Sequence, residues 1–397
     1  MLFAVLLLLP LVLTAASIAS VFALTSRRRR AALARDPASL PPVTVLKPLC
    51  GADDDLEANL ETFFHQTHPH YELVFGVAQD AAAPGRPQTL DPAVAVVHRL
   101  MARHPEVPAR LILHDGALGL NPKVANLRAM LPTARHDLIV ISDSNIAVPQ
   151  GWLANLTAAF TSDPGHGLVL NPFVGTGEET LGATLENLHL AGPIAGSLAV
   201  SHELMAQAGV VGKSAMFSRA AFDALGGFES VSSVLAEDYV MGRMFAEAGY
   251  KVRLAPTLVD NVCAKTTVRR FFARQLRWGL IRSRIMPLSY PFEPLASPMF
   301  PALLAPFAGA YAGAVVTLAV AATLLRDGLQ WTRLRGPRGL LAALPLGPLK
   351  ELSLIGLWLV APFFGKVSWR GKQFRVATGT RLYAGRERRE HHVLGVR

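Results

Sequence analysis

Asp137-Leu138-Ile139-Val140-Ile141-Ser142-Asp143-Ser144-Asn145 decides how this chain is read. A short apolar run bounded by polar residues is the pattern of a buried strand, and Asp143 stands directly at its end. Working outward, the same alternation recurs. Val43 to Leu46 follows Pro41-Pro42 as a first strand, and Leu56 to Phe64 follows as a helix with Leu56, Leu60, Phe63 and Phe64 on one face. Glu72 to Val77 is a second strand ending at Gln79-Asp80. Pro92 to His104 is a helix, Arg110 to His114 a third strand, and Val124 to Met130 a helix before the Asp137 strand. Strands alternating with helices predict an α/β, Rossmann-like domain with a mainly parallel sheet. Ligands of such sheets bind beyond the carboxyl ends of the strands, which assigns Asp80 and Asp143 to one cleft.

The flanks differ in kind. Hydrophobic residues make up 51% of the 397, and mean hydropathy is +0.32, but the excess sits at the ends. Residues 1–24 carry no charge and lead into Thr25, Ser26 and the arginines Arg27 to Arg30. A helix of that length spans roughly 36 Å, against a hydrocarbon core of about 30 Å. Charge following rather than preceding the run favours a retained anchor over a cleaved signal, with the arginines on the cytoplasmic side. Near the other end, about 298–325 and about 339–364 are apolar, the second broken by Lys350 and Glu351. They predict two spans, or one span and a re-entrant or interfacial piece. Arg333, Arg335 and Arg338 between them sit awkwardly with an external loop.

These boundaries divide the chain into an anchor (1–25), an α/β domain (26–285) and a C-terminal membrane region (286–397). They predict a multi-pass protein of the inner, cytoplasmic membrane with its α/β domain inside. The net charge of +10 lies largely beside apolar runs, which suits anionic headgroups. No aromatic-basic motif accompanies it, and nucleic acid is excluded as a partner. Cys50 and Cys263 alone make no disulfide framework.

Several segments could carry chemistry. A carboxylate fixed at a strand end can hold a hard cation with oxygen ligands, so Asp143 and Asn145 are metal candidates; a turn-capping aspartate is the bland alternative. Lys123 in Asn121-Pro122-Lys123 can pair with a diphosphate or stay solvated. Glu237-Asp238 offers a base or merely acids of a first helical turn. Val268 to Arg284 mixes arginines with Phe271, Phe272, Leu276, Trp278 and Leu280, as a basic amphipathic helix in a headgroup layer does. His65, His68 and His70 have metal-like spacing without a fourth ligand. Gly212-Lys213-Ser214 lacks the upstream glycine of a phosphate loop, that position being Gln207.

Taken in order, these residues resemble the ceramide glucosyltransferase family over about 41–285 and again near 366–376. The matches are Val45-Leu46-Lys47-Pro48-Leu49, Asn59-Leu60-Glu61-Thr62-Phe63-Phe64, Asp80, Asn121-Pro122-Lys123, Asp143-Ser144, Glu237-Asp238, Arg274-x-x-Arg277-Trp278 and Ser368-Trp369-Arg370. The resemblance implies a GT-A fold, a UDP-sugar donor (UDP-glucose most often), Mg2+ or Mn2+, and inversion at the anomeric carbon. It also implies that Asp80 contacts uridine, Asp143 holds metal and diphosphate, and Asp238 is the base. Arg274, Arg277 and Trp278 would then close over the diphosphate and the acceptor entry. Asn145 stands where many GT-A enzymes have a second aspartate, and Ala81 to Leu90 is longer than the family's usual connection. The expected acceptor is a ceramide-like lipid alcohol in the bilayer. Hopanoid or diacylglycerol transfer is the neighbouring alternative, and a non-catalytic lipid-binding scaffold is the alternative of another class.

Overall fold

The computed structural model describes residues 2–31, 37–79, 90–205, 209–369 and 372–384. Its centre is a seven-stranded sheet. In chain order the strands are β1 (Val43–Leu49), β2 (Tyr71–Ala78), β3 (Ala109–His114), β4 (Leu138–Ser142), β6 (His166–Leu170), β8 (Ser214–Ser218) and β9 (Lys251–Leu254). The short strands β5 (Ile146–Ala147), β7 (Phe173–Thr176) and β10 (Val259–Val262) form a second sheet, ordered β5-β10-β7. Across the large sheet the order is β3-β2-β1-β4-β8-β6-β9. The first four of these are mutually parallel, and β8 alone runs against both its neighbours. This is the α/β, mainly parallel GT-A-like architecture expected.

The inner parallel strands β1, β2 and β4 are buried on both faces, the edge strand β3 less so, and each face of the sheet has its own core. Helices Leu56–Phe64, Pro92–Arg103 and Trp152–Thr161 cover one, with Phe63, Phe75 and Trp152 fully buried. Helices Pro122–Met130, Arg219–Ala224 and Glu237–Glu247 cover the other, around Phe217, Phe222 and Phe245. The central strand β4 therefore points its carboxyl end into a cleft between two rigid layers. Antiparallel β8 brings its own start there, because Ser142 pairs with Ser214.

Among the described residues, three helical segments are long and apolar enough to cross a bilayer: Phe3–Ser26, Gly309–Arg335 and Leu340–Phe363. The middle one corrects the expected 298–325. Pro291, Pro294, Pro298, Pro301 and Pro306 break the chain before it into short 3-10 and helical turns, since each removes a backbone donor and crowds the preceding turn. The helix then continues past Arg326 because its charge is matched. Arg326 pairs with Asp327 and Glu351 at 2.7 Å each, Lys350 pairs with Glu351 at 3.1 Å and with Asp327 at 3.5 Å, and all four are buried.

The turn between the last two apolar helices is not remote from the α/β domain. Arg335 pairs with Glu178 at 2.7 Å, and Arg333 donates to Thr25 and Ser26 at the end of the first helix. At the far end of Leu340–Phe363, Ala361 packs on Gly279 and Arg284 donates to the Pro362 carbonyl. Both ends of that run thus touch the α/β domain or its last helix.

Past it, Lys366–Trp369, Lys372–Val376 and Leu382–Ala384 form a small antiparallel sheet. Its last part docks on the segment before Glu237. Leu235 N–H donates to the Thr380 carbonyl at 2.9 Å, and Leu382 N–H donates to Ser233 at 2.8 Å.

Candidate active site

Asp143 leaves β4 with both carboxylate oxygens engaged by cations. Lys123 Nζ lies 2.9 Å from Oδ1 and Lys213 Nζ 3.1 Å from Oδ2. Local structure places each lysine. Asn121 caps helix Pro122–Met130, its side-chain oxygen accepting from Lys123 and Val124 N–H, and Pro122 occupies the first turn, where its missing donor does no harm. That fixes Lys123 at the helix start, facing the cleft. Lys213 precedes β8, and its carbonyl accepts from Asp143 N–H at 3.1 Å. Burial pushes the Asp143 carboxyl up, but Lys123 and then Lys213 outweigh it and hold the group at about 2.

Lys123 also binds Glu237 Oε1 at 3.1 Å and donates to the Gly212 carbonyl at 3.1 Å. Asn121 Nδ2 donates to the other Glu237 oxygen at 3.1 Å. Asp238 stands beside this pair, with Oδ2 accepting from Gly212 N–H at 2.6 Å and Oδ1 from its neighbour Tyr239 N–H at 2.8 Å. A Cβ at position 212 would come 2.6 Å from Asp238 Cβ, so only glycine lets the chain pass here. Burial and Asp238 raise the Glu237 carboxyl, and Lys123 offsets only part of this. One ammonium thus binds Asp143 and Glu237, far apart in the sequence, and feels the charge of Asp238 next to Glu237.

Helix Val268–Ile285 adds the arginines. Arg274 pairs with the fully buried Glu186 at 3.0 Å. Arg277 has no hydrogen-bond or ion-pair partner among the described residues. Burial, then Arg274, lowers its pKa, while Glu237 and Glu186 oppose the shift. The guanidinium is therefore within electrostatic reach of the acid cluster. Trp278 packs on the domain core and lies 6.3 Å from the His189 ring.

The expected residues do not all converge. Asp80 lies outside the described residues. Asn145 is held by the second sheet: its carbonyl accepts from Val262 N–H, and its side-chain Nδ2 donates to Asn261 at 3.1 Å, leaving Oδ1 as its possible metal ligand. One carboxylate plus one amide oxygen suits a hard ion that draws most of its ligands from water and phosphate, so the pair fits Mg2+ or Mn2+ in the company of a diphosphate.

The histidine group separates. His68 is buried, its pKa lowered to about 4 by that burial first, while His65 turns to His104 and Glu61.

Lys47 was not foreseen. It is fully buried under the cleft, donates to the Asp143 carbonyl at 2.6 Å, and lies 3.7 Å over the Phe63 ring. A lysine within a largely apolar strand, inside the matching Val45-Leu46-Lys47-Pro48-Leu49, was its signal. Glu186 gave none, being one acid among helical residues.

A model of Glycosyl transferase family 21 matches residues 8–382. The chain belongs to that family. It is 28% identical over 361 residues to Ceramide glucosyltransferase 3 of Caenorhabditis elegans, covering 88% of this chain and 75% of the relative. It is 30% identical over 284 residues to Ceramide glucosyltransferase 1 of the same organism, covering 69% and 57%. Among solved structures, a mannosyltransferase from Pyrobaculum calidifontis in complex with GDP-Man and Mn2+ aligns over 90% of this chain and 98% of its own, at 21% identity and a TM-score of 0.45. The family 21 chain is a glycosyltransferase, ceramide glucosyltransferase-like.

Proposed function

We propose that the protein is a membrane-bound inverting glycosyltransferase that moves a sugar, glucose foremost, from a UDP-sugar to a lipid hydroxyl, a ceramide-like acceptor being favoured. One observation carries this reading. Asp143 and Glu237 both pair with Lys123 at the carboxyl end of the parallel strands, where such sheets bind ligands, and Asp238 stands next to Glu237 within that ammonium's electrostatic reach.

Asp238 acts as the base. Two backbone N–H groups fix its oxygens, and each oxygen keeps a lone pair to take the proton of the attacking hydroxyl. Lys123, Lys213 and the unpaired Arg277 receive the negative charge of the departing diphosphate. Arg274 stays anchored on Glu186 and orients that helix. Asp80 contacts the uridine. Asp143 and the Asn145 oxygen would hold Mg2+ or Mn2+, which would supply counter-charge to the diphosphate. The arginines after the first apolar helix set the α/β domain on the cytoplasmic face. The return of Leu340–Phe363 to that domain keeps Arg333 and Arg335 on the same side.

Membranes expressing the chain, given labelled UDP-sugars and analysed by lipid mass spectrometry, should yield one labelled glycolipid. Asp238→Asn should lose about 10²–10³ in turnover while still binding UDP-glucose in the presence of Mn2+. Near-wild-type turnover of purified Asp238→Asn would remove it as the base, and absence of any labelled lipid would sink the transfer reading.

A further inference from the structure

The α/β domain carries a second cluster of metal-ligating side chains, where two helices on one face of the sheet end side by side. Glu61, His65 and His104 bring one carboxylate oxygen and two imidazole nitrogens within 4.8 Å of one another. Helix Leu56–Phe64 ends at His65 and helix Pro92–Arg103 ends at His104, and the two helices pack together. A helix C-terminus carries partial negative charge, which favours a cation beside it. The side-chain charges point the same way. Ion pairs join Glu57, Glu61 and Glu106 to Arg99, Arg103 and His104, which sets three carboxylates against two guanidinium groups.

The donors are disposed for coordination. His104 Nε2 and Glu61 Oε1 are 2.9 Å apart, against roughly 3.3 Å for two ligands of a tetrahedral ion with bonds of about 2.0–2.1 Å. Glu106 Oε1 stands 3.4 Å from the other nitrogen, His104 Nδ1. A carboxylate so placed orients a metal-bound imidazole and keeps a proton on the nitrogen away from the ion. Arg103 holds Glu61 through Oε2, which leaves Oε1 to the ion. Hydrogen bonding from His104, foremost, keeps the Glu61 carboxyl below its ordinary range, so it is an anion at neutral pH. His65 is exposed, and its ring makes no hydrogen bond among the described residues. A rotation moving its nitrogen by at most roughly 1.5 Å closes the set and breaks no hydrogen bond.

Two imidazoles and one carboxylate, with water in the fourth position, suit Zn2+ or a similar borderline ion, whereas Mg2+ takes oxygen ligands. The place is also distinct from the cleft. Helix Leu56–Phe64 starts beside the cleft, where Asp53 accepts from the Ser144 hydroxyl, and its nine residues carry the chain roughly 13 Å further before His65.

We propose that Glu61, His65 and His104 form a zinc-type metal site that clamps the ends of these two helices, with Glu106 as the positioning residue for His104. The site stands whether or not the protein transfers sugar. As the ion binds, the proton shared by His104 Nε2 and Glu61 leaves for solvent.

The test uses the full chain in detergent, stripped with EDTA and then given ZnCl2. Wild type should keep one equivalent of zinc through gel filtration, read by elemental analysis. Free Zn2+ at about one hundred times its Kd should raise the Tm by roughly 5–10 °C. Without zinc, His65→Ala should melt with the wild type, since that ring supports no hydrogen bond, yet it should lose both the retained zinc and the shift. Glu106→Gln should weaken zinc binding about tenfold with its zinc-free Tm unchanged, and unaltered affinity removes it from the site. His70→Ala, nearby in the chain and also exposed, should respond to zinc as the wild type does. A wild type that keeps no zinc and shows no shift overturns the assignment. So does His65→Ala retaining as much zinc as the wild type, or an equal loss in His70→Ala.

Discussion

Replacing Lys123 with methionine probes the centre of the site. Its ammonium is 2.9 Å from Asp143 and 3.1 Å from Glu237, with its side chain only 14% exposed. Taking one partner from a buried ion pair costs roughly 3–5 kcal/mol. Two features moderate this. Lys213 still holds the second oxygen of Asp143 at 3.1 Å, and Glu237, already raised by burial and Asp238, can take a proton. We therefore expect Lys123→Met to lose about 2–4 kcal/mol, lowering the Tm by roughly 5–15 °C for a domain of this size. The measurement is thermal unfolding of purified protein in detergent at pH 7 without nucleotide, so that donor binding plays no part. Adding Glu237→Gln removes the charge left stranded and should restore about 1–3 kcal/mol of coupling. If Lys123→Met melts with the wild type, or the double variant is no more stable than the single one, the three acids are not organised by this cation.

Gly212→Ala should lower turnover about 10²-fold with the Tm little changed, because the new Cβ would meet Asp238 at 2.6 Å and displace it; steady-state kinetics with full activity would refute the packing. Asn145→Asp should reduce the Mn2+ concentration for half-maximal activity about tenfold by adding a carboxylate ligand, and an unchanged metal titration would exclude Asn145 from the ion's shell. The Asp143 carboxyl, held at about 2 against an ordinary 3.8, stabilises the fold by about 2 kcal/mol above pH 3.8, and this is lost as pH falls through about 2. Asp143→Asn should therefore melt below the wild type at pH 7 and converge with it near pH 2. A gap that stays constant across that range would contradict the ion pairing.

Local pattern made much of the fold legible. Apolar runs four to eight residues long marked strands β1 to β4 within a residue or a few, and for β1, β2 and β4 burial on both faces leaves little choice of residue. Asp143, Lys123 and the Glu237-Asp238 pair were visible because each sits at the end of an element. Lys47, Lys213 and Glu186 were not, because their meaning lies in partners across the fold: Lys213 looked like a failed phosphate loop until Asp143 was seen beside it. The middle apolar helix was misplaced for a related reason, whereas the last one lies where hydropathy put it. Hydropathy alone stops at Arg326, whereas the helix continues because Asp327 and Glu351 are there to meet it.

The docking of Thr380 and Leu382 on the stretch before Glu237 has a bearing on biogenesis. A ribosome makes these residues after the last apolar helix, yet they brace the turn that launches the helix bearing Asp238. Asp238, the proposed base, therefore reaches its supported position only after the chain's apolar helices have emerged. On the proposed function, newly made protein would stay idle until its last apolar helix is in place, which spares the cell futile breakdown of nucleotide sugar by half-made copies.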